Sequence, residues 1–227
     1  MTKDMNPLIK KSILIGSLVV IADQVLKIWV KTHMFLGESS FVNWDWSISQ
    51  FQLTFTENPG MAFGLKLEGE TGKYILSIFR IIAIAGLFYF IGWMIKKKNP
   101  TTGFIVCLSL ITAGAIGNIL DSMFYGMLFG ASGYSANHIA EFMPPDGGYA
   151  PFLQGKVVDM FYCPIIDTTL PEWMPFKGGE HFVFFSPIFN IADCAVTVGV
   201  FVMILFQKRI FPKTDEELSA ELKEKEI

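Results

Sequence analysis

The chain has 227 residues, of which 52% are hydrophobic and 15% aromatic, while only 17% are charged. Soluble domains usually carry about 25% charged residues, so this composition disfavours a soluble globule and excludes a disordered chain. The net charge of −3 does not favour binding to nucleic acid. The three cysteines are too widely spaced to predict a disulfide framework. The composition therefore indicates one domain embedded in a bilayer.

Four apolar stretches are long enough to cross about 30 Å of hydrocarbon at about 1.5 Å per residue. They cover residues 12–30, 74–95, 103–123 and 187–207. The first stretch follows lysines, as in a signal peptide, but it contains Asp23 and Lys27 and leads to no small-residue cleavage site, so we interpret it as a retained span. Ser186 and Pro187 predict the start of the fourth span, because a hydroxyl caps a helix and proline suits its first turn.

Basic residues are concentrated on the side of the membrane that holds the two chain ends. They are Lys3, Lys10, Lys11, Lys96, Lys97, Lys98, Lys208, Arg209, Lys213, Lys223 and Lys225. The opposite loops are longer but contain only Lys31, Lys66, Lys73, Lys156 and Lys177. By the positive-inside rule, both termini are predicted to be cytoplasmic. Residues 1–213 form one predicted integral-membrane domain, and residues 214–227 form a charged cytoplasmic tail that opens with a helix-capping pattern.

Two segments are predicted on the outer face. In residues 51–56, apolar and polar side chains alternate as in a half-buried strand, and Asn58-Pro59-Gly60 predicts a turn. Residues 124–182 are rich in glycine, proline and aromatic side chains and lack helical periodicity. The predicted fold class is an all-α membrane core of four transmembrane helices, with a small outer-face β-sheet and an extended outer loop.

Polar residues inside the spans need a specific reason, because an ionisable group within a bilayer costs several kcal/mol. These residues are Asp23, Lys27, Asn118, Asp121, Asn190 and Asp193. With the predicted topology, the carboxylates of three helices lie at one depth near the outer surface. Asp23 and Lys27 are four residues apart, so they could equally form a structural ion pair that neutralises both charges.

The later pairs are spaced three residues apart, which places each pair on one helix face. They are Asn118 with Asp121, and Asn190 with Asp193. Small residues on the third span would allow another helix to approach closely. They are Ala113, Gly114 and Gly117.

Asp159 is a further candidate, in an outer segment whose apolar neighbours suggest a return toward the membrane. A loop aspartate is also common as a turn or cap residue. The histidines at positions 33, 138 and 181 are scattered and have no metal-ligand spacing, so no metal and no other cofactor is predicted.

Five short blocks occur in order between residues 23 and 193. They are Asp23-Gln24-x-x-Lys27, Asn58-x-Gly60-x-Ala62-Phe63-Gly64, Gly117-Asn118-x-x-Asp121, Val158-Asp159-x-Phe161 and Phe189-Asn190-x-Ala192-Asp193. Together these blocks resemble the signature of the lipoprotein signal peptidase family, also called signal peptidase II. The resemblance implies an aspartic endopeptidase of the bacterial inner membrane. Such an enzyme removes the signal peptide of diacylglyceryl-modified prolipoproteins just before the lipidated cysteine.

The resemblance also implies roles for individual residues. Asp159 and Asp193 match the catalytic pair. The positions that match substrate-binding or supporting residues are Asp23, Lys27, Asn58, Gly60, Asn118, Asp121 and Asn190. The implied site faces the periplasm, the implied partners are the lipidated prolipoprotein and membrane lipids, and the chain is expected to be monomeric.

Two positions depart from the family pattern. The family usually has arginine after the aspartate of the third block, where this chain has Ser122. Arg80 is a candidate substitute, or it snorkels to the outer interface. The stretch between Asp121 and Asp159 is longer than the usual short connection. Residues 124–158, called the inserted segment below, are expected to form either a lid or rim at the site or a passive surface loop.

Two close carboxylates suit peptide hydrolysis because like charges make the pair share one proton. One member can then activate water while the other protonates the leaving amine. Two alternatives predict other behaviour. A proton-coupled transporter would distribute its carboxylates through the membrane thickness, and a lipid-binding scaffold would tolerate replacement of both Asp159 and Asp193.

Overall fold

The computed structural model describes residues 6–41, 51–60, 69–97 and 100–211. The helices are α1 (Pro7–His33), α2 (Gly69–Lys97), α3 (Thr102–Leu120), α4 (Gly126–Leu128), α5 (Ile191–Leu205) and α6 (Gln207–Ile210). A π-helical turn, Asp121–Tyr125, joins α3 to α4, and Ala136–His138 forms a 3₁₀ turn. The strands are β1 (Ser39–Phe41), β2 (Gln52–Asn58), β3 (Val157–Tyr162), β4 (Ile166–Thr169), β5 (His181–Phe184) and β6 (Ile188–Phe189).

Three helical stretches in the described part are long and apolar enough to cross a membrane. They are Pro7–His33, Thr71–Lys96 and Thr102–Leu128. The three corresponding sequence predictions are confirmed as helices, and each helix extends beyond the predicted bounds. The fourth apolar helix, Ile191–Leu205, has 15 residues.

The predicted start of this fourth helix is wrong. Ser186 and Pro187 do not begin a helix, because the chain first continues in β6. Within β6, Ile188 pairs with Tyr162 and Phe189 with Phe161. Helix α5 begins only at Ile191, so Asp193 lies in its first turn.

The chain divides into two compact units. Unit 1 contains Met1–Ile21, Arg80–Ile116 and Ala192–Ile227, and unit 2 contains Ala22–Phe79 and Gly117–Ile191. The core of unit 1 includes Ile91, Phe104, Ile105, Leu108 and Ile210. The core of unit 2 includes Val30, Phe55, Tyr125, Phe129, Val158 and Met160.

Helices approach each other closely within unit 1. A Cβ added to Gly114 of α3 would lie 2.3 Å from the backbone oxygen of Ala192 in α5. A Cβ added to Gly199 of α5 would lie 2.8 Å from the backbone oxygen of Cys107. The predicted close approach of a helix at Gly114 is thus confirmed.

Unit 2 contains an antiparallel sheet of four strands in the order β1-β2-β3-β6. The predicted strand over residues 51–56 is confirmed as β2, in which Phe55 is fully buried. The register between β2 and β3 shifts between Leu53 and Thr56, as in a β-bulge. After this shift, Thr56 pairs with Asp159, Glu57 with Val158, and Asn58 with Val157.

The predicted turn after β2 is also confirmed. The backbone N–H of Gly60 donates to Asn58 Oδ1 over 2.9 Å, which closes an Asx turn. Gly60 has φ +95°, a conformation that glycine adopts without strain.

Strands β4 and β5 form a separate hairpin whose two faces differ. Ile166 pairs with Phe184 and Thr168 with Phe182, which makes one face mainly apolar. The opposite face holds the exposed contact of Asp167 Oδ1 with His181 Nε2 at 2.7 Å. Alternation with a period of two residues thus gives an amphipathic hairpin.

The inserted segment is compact, which corrects the expectation of an extended outer loop. Its backbone returns repeatedly to the end of the third apolar helix: Met143 N donates to Leu128 O over 2.7 Å, and Ala150 N to Gly126 O over 3.0 Å. A Cβ added to Gly148 would lie only 2.0 Å from Gly126 O. Backbone hydrogen bonds and this close approach fix the segment in place.

Some sequence predictions fall outside the described residues. The charged tail of residues 214–227 is one of them, as is the second half of the second block, Ala62-Phe63-Gly64.

Candidate active site

The π-helical turn at the end of α3 presents Asp121 to the interior of unit 2. Its wider winding is typical of functional sites. Asp121 and Ser122 are buried, and the Ser122 carbonyl accepts a hydrogen bond of 2.9 Å from Gly155 N. Gly155 has no room for a side chain, because a Cβ there would lie 2.1 Å from Asp121 O. The turn thus brings the end of the inserted segment, just before β3, against Asp121.

Lys27 connects three other predicted site residues. Its ammonium group lies 2.9 Å from Asp23 Oδ2 and 2.9 Å from Asp121 Oδ2, and donates to Asn118 Oδ1 over 2.9 Å. These three partners match the three protons of an ammonium group. The alternative of an isolated Asp23–Lys27 pair is therefore incomplete, because the pair is part of a cluster of four side chains, of which Asp23, Lys27 and Asp121 are buried.

Gln24 adds an uncharged link to this cluster. Its Nε2 donates to Asp121 Oδ1 over 2.9 Å and to Gly117 O over 3.1 Å. The hydroxyl of the buried Tyr125 donates to Gln24 Oε1 over 3.2 Å. Both oxygens of Asp121 are thus held in place. Gln24 lies within the first sequence block, but no role was predicted for it from the sequence.

Asn190 joins the cluster to Asp159. Its Nδ2 lies 2.7 Å from Asp159 Oδ1, 3.1 Å from Asn118 Oδ1 and 3.3 Å from Val158 O. The N–H of Val158 donates to Asp121 Oδ2 over 3.2 Å. The backbone before Asp159 is therefore held through both its N–H and its carbonyl group. Asp159 itself is buried, at 3% exposure.

Asn58 and Gly60 lie at the end of β2, which pairs with β3. Asn58 is opposite Val157, and Asp159 is opposite Thr56 on the same pair of strands. Unit 2 therefore contains eight of the nine predicted site residues, and the sheet brings Asn58 close to the strand that carries Asp159.

Asp193 is the ninth predicted residue, and it belongs to unit 1. It lies in the first turn of α5, while Asn190 precedes the helix. Asn190 therefore lies outside the helix, contrary to the prediction, because residues 188–189 pair with β3 and delay the start of the helix.

Ser122, where the family usually has arginine, binds its own helix. Its hydroxyl donates to Asn118 O over 3.3 Å. The cation beside Asp121 is Lys27, as described above. The suggestion that Arg80 replaces the missing guanidinium stays a prediction.

A second buried charge cluster was missed by the sequence analysis. Lys31 was assigned to an outer loop, but it lies in the last turn of α1 and is fully buried. It forms an ion pair with Glu57, whose second oxygen lies 2.9 Å from Lys156 Nζ. Two sequence signals point to this cluster. Lys31 follows Lys27 by four residues, on the same helix face, and Glu57 follows the buried Phe55 by two residues.

The electrostatics of this second cluster favour an ionised Glu57. Burial alone would raise the pKa of the Glu57 carboxyl, but Lys31 and Lys156 together hold that pKa below its ordinary value of 4.5. An ionised Glu57 is therefore the form that the folded protein contains at neutral pH.

Within the described residues, no group of three or more His, Cys, Asp or Glu side chains is arranged to hold a metal ion. The chemically distinctive feature of unit 2 is instead a connected set of buried carboxylate, amide and ammonium groups that ends at Asp159.

Comparisons with known proteins agree with the blocks found in the sequence. The family described as Signal peptidase (SPase) II matches residues 15–208. A lipoprotein signal peptidase of Porphyromonas gingivalis is 47% identical over 192 residues, which cover 85% of this chain and 80% of the relative. A lipoprotein signal peptidase of Amoebophilus asiaticus is 36% identical over 195 residues, which cover 84% of this chain and 75% of the relative.

Solved structures are similar as well. A bacterial membrane enzyme determined at 2.3 Å resolution matches with a TM-score of 0.55 and 28% identity, covering 88% of this chain and 89% of its own. These comparisons do not support the proton-coupled transporter. Together with the three long apolar helices, they identify a multi-pass bacterial membrane protein that belongs to the signal peptidase II family.

Proposed function

We propose that this chain is an aspartic endopeptidase that cleaves the signal peptide of diacylglyceryl-modified prolipoproteins just before the lipidated cysteine. The observation that carries the proposal is the buried Asp159, whose Oδ1 lies 2.7 Å from Asn190 Nδ2. A buried carboxylate held by an amide donor has a fixed orientation, as general acid–base catalysis requires. The relatives named lipoprotein signal peptidase support the choice of substrate.

Asp193 is the proposed second carboxylate. In the proposed reaction, Asp159 and Asp193 share one proton, because two close like charges are not both ionised easily. The ionised member removes a proton from a water molecule, which attacks the scissile carbonyl carbon. The protonated member donates a hydrogen bond to the carbonyl oxygen and then protonates the leaving amine.

The supporting residues keep Asp159 in place. Lys27 balances part of the negative charge of Asp23 and Asp121, and Asn118 Oδ1 accepts hydrogen bonds from both Lys27 and Asn190. Asn58 and Gly60, at the end of β2, are proposed to contact the substrate backbone. In this proposal, residues of the first and third helices balance charge, and residues at the end of a sheet strand contact the substrate.

The site is proposed to face the outer side of the membrane. If the three long helices span it, residues 34–41, 51–60 and 129–190 share one side, which the basic residues near the termini assign as the outer one. A substrate anchored by its diacylglyceryl group in the outer leaflet would present its cleavage site there. We propose that α5 (Ile191–Leu205) crosses the membrane as a fourth span, so that both termini lie in the cytoplasm, and that the enzyme acts as a monomer.

The test uses Asp159→Asn and Asp193→Asn in liposomes that contain a lipidated prolipoprotein. Each change keeps the size of the side chain but removes its acid–base function, so we expect cleavage to fall by at least about 1,000-fold. The matched control is Asp167→Asn, which alters an exposed aspartate of the β4–β5 hairpin and should leave the rate unchanged.

Normal cleavage by either the Asp159 or the Asp193 variant would disprove the aspartic mechanism. Binding of the lipidated peptide, measured separately, should persist in both variants. Persistent binding with lost cleavage also distinguishes the enzyme from a lipid-binding scaffold, whose function both changes would leave intact.

A further inference from the structure

The second charge cluster, which the proposed reaction does not use, connects three separate parts of unit 2. Lys31, at the end of α1, pairs with Glu57 of β2 and lies 3.0 Å from Ser132 Oγ of the inserted segment. Ser132 Oγ donates to Glu57 Oε1 over 3.0 Å. Lys156, just before β3, reaches Glu57 Oε2 at 2.9 Å. One carboxylate of β2 thus meets the end of α1 and two points of the inserted segment, Ser132 and Lys156, the second of which directly precedes β3.

Aromatic rings enclose the Lys31 ammonium group. Its Nζ lies 5.0 Å from the ring centre of Tyr149, 5.5 Å from that of Phe129 and 5.9 Å from that of Phe55. Two of these rings belong to the inserted segment and one to β2. Cation–π attraction is strongest where water is excluded, and Lys31 is fully buried. The cage thus holds the inserted segment against the sheet.

The cluster lies directly after the point at which the register between β2 and β3 shifts. The pairing of β2 with β3 shifts between Leu53 and Thr56, so the pairs before the shift do not set the pairs after it. Glu57 is opposite Val158, and its neighbour Thr56 is opposite Asp159. A slip of one residue here would turn side chains to the opposite face of the sheet.

Stability alone is a weak reason for such a cluster. A buried ion pair usually gains little over apolar side chains of similar volume, because both charges lose their hydration. What an ion pair with fixed partners does provide is a defined geometry. In this cluster the defined geometry is that of the strand pair that carries Asp159.

We propose that Glu57 is a positioning residue, whose contacts with Lys31 and Lys156 fix the β2–β3 register at Asp159 and seat the inserted segment as a fixed wall of the site. This role rests on the proposed endopeptidase function. Of the expectations for the inserted segment, this role favours a fixed rim, since a segment fastened by buried charges is neither a moving lid nor a passive loop.

The main test is the double variant Lys31→Met/Glu57→Met. It removes both buried charges together and keeps apolar side chains of similar length, so the fold should persist. We expect kcat to fall by about 10- to 100-fold, because a displacement of about 1 Å or less at a catalytic group has an effect of this size. KM should stay within about twofold of the wild-type value. Amide hydrogen exchange should become faster in residues 52–58 and 157–162.

A second variant tests the role of Glu57 without changing either member of the buried Lys31–Glu57 pair. Lys156 is 40% exposed, so Lys156→Met removes one anchor of Glu57 without leaving Lys31 unpaired. We expect a smaller fall in kcat, about threefold or more, with unchanged thermal stability. The exposed change Asp167→Asn is again the control and should alter neither kcat nor hydrogen exchange.

Wild-type kcat in Lys156→Met, or in a folded Lys31→Met/Glu57→Met protein, would overturn the positioning role. Unchanged exchange in both strand segments would overturn it too. The result is distinguishable from failure of the proposed function, because cleavage by Asp159→Asn would refute the mechanism while the exchange measurement still reports on the register.

Discussion

Lys27 in α1 and Asn190 just before α5 donate hydrogen bonds to the same oxygen, Oδ1 of Asn118, over 2.9 and 3.1 Å. Through this shared acceptor, the buried charges of Asp23 and Asp121 are connected to the amide that holds Asp159. The buried charges and the proposed catalytic carboxylate therefore form one hydrogen-bonded network.

Removal of the shared acceptor should separate the two parts of this network. In Asn118→Ala, Lys27 keeps its two carboxylate partners, but Asn190 loses one of the groups that orient it. We expect the free energy of unfolding to fall by about 1–3 kcal/mol and kcat by about 10-fold or more. Thermal unfolding in detergent and cleavage of a lipidated substrate measure the two effects.

Ser122→Ala is the matched control for this change. Ser122 lies one turn further on, in the π-helical turn, and is buried, but its hydroxyl donates only to Asn118 O of the previous turn among its described bonds. We expect nearly wild-type kcat, and an equal loss in both variants would contradict a specific role for the Asn118 side chain.

Loss of the buried cation should be more severe. Lys27→Met leaves Asp23 and Asp121 buried without their shared partner, a situation that typically costs about 3–5 kcal/mol. The melting temperature should fall accordingly. Adding Asp121→Asn to Lys27→Met removes one of the two negative charges that Lys27 no longer balances, so the double variant should recover part of the loss. A Lys27→Met protein with the wild-type melting temperature would show that the cluster carries little net charge.

Helix packing in unit 1 provides a prediction independent of the site. In Gly114→Ala, the new Cβ would lie 2.3 Å from Ala192 O, a backbone atom that cannot move by a side-chain rotation. Overpacking of this kind costs about 1–3 kcal/mol. Gly86→Ala in α2 is the control, because nothing lies within 4 Å of its new methyl group. Unfolding measurements should separate the two, and equal stability would contradict the close approach.

The Glu57 carboxyl predicts a pH dependence of stability. Because the folded pKa lies below the ordinary value of 4.5, the ionised group stabilises the fold fully above about pH 4.5, and this contribution disappears as the pH falls through the folded pKa. The difference in unfolding free energy between wild type and Glu57→Gln should therefore stay constant from pH 7 to about pH 5 and shrink at lower pH. A difference that shrinks above pH 5 would contradict the lowered pKa.

Much of the site could be predicted from the sequence because charged residues in apolar helices have few alternative roles. Depth and spacing grouped Asp23, Lys27, Asn118 and Asp121 with Asn190 and Asp193; the first four meet in one cluster, Asn190 joins it, and Asp193 belongs to unit 1. The strand at residues 51–56 was predictable for a similar reason, since its alternation is regular.

Other features depend on contacts that a local pattern does not encode. Strand β6 has two residues, too few for a period to be recognised, so the start of α5 was placed too early. Glu57 and Lys156 are 99 residues apart, and their contact exists only once β2 and β3 pair. The π-helical turn follows an ordinary helical sequence and carries no distinctive composition.

The π-helical turn makes the orientation of the Ser122 carbonyl independent of the orientation of α3. In an uninterrupted α-helix, one orientation would determine the other. One extra residue per turn shifts the rotational phase of everything that follows by about 100°. The residues before Asp121 can therefore face lipid and the neighbouring helices. The direction of the Ser122 carbonyl, which accepts a hydrogen bond from Gly155, is set separately. Deleting a single residue between Asp121 and Tyr125 would restore a regular helix and rotate the whole attachment of the inserted segment away from β3, although every charged group would still be present.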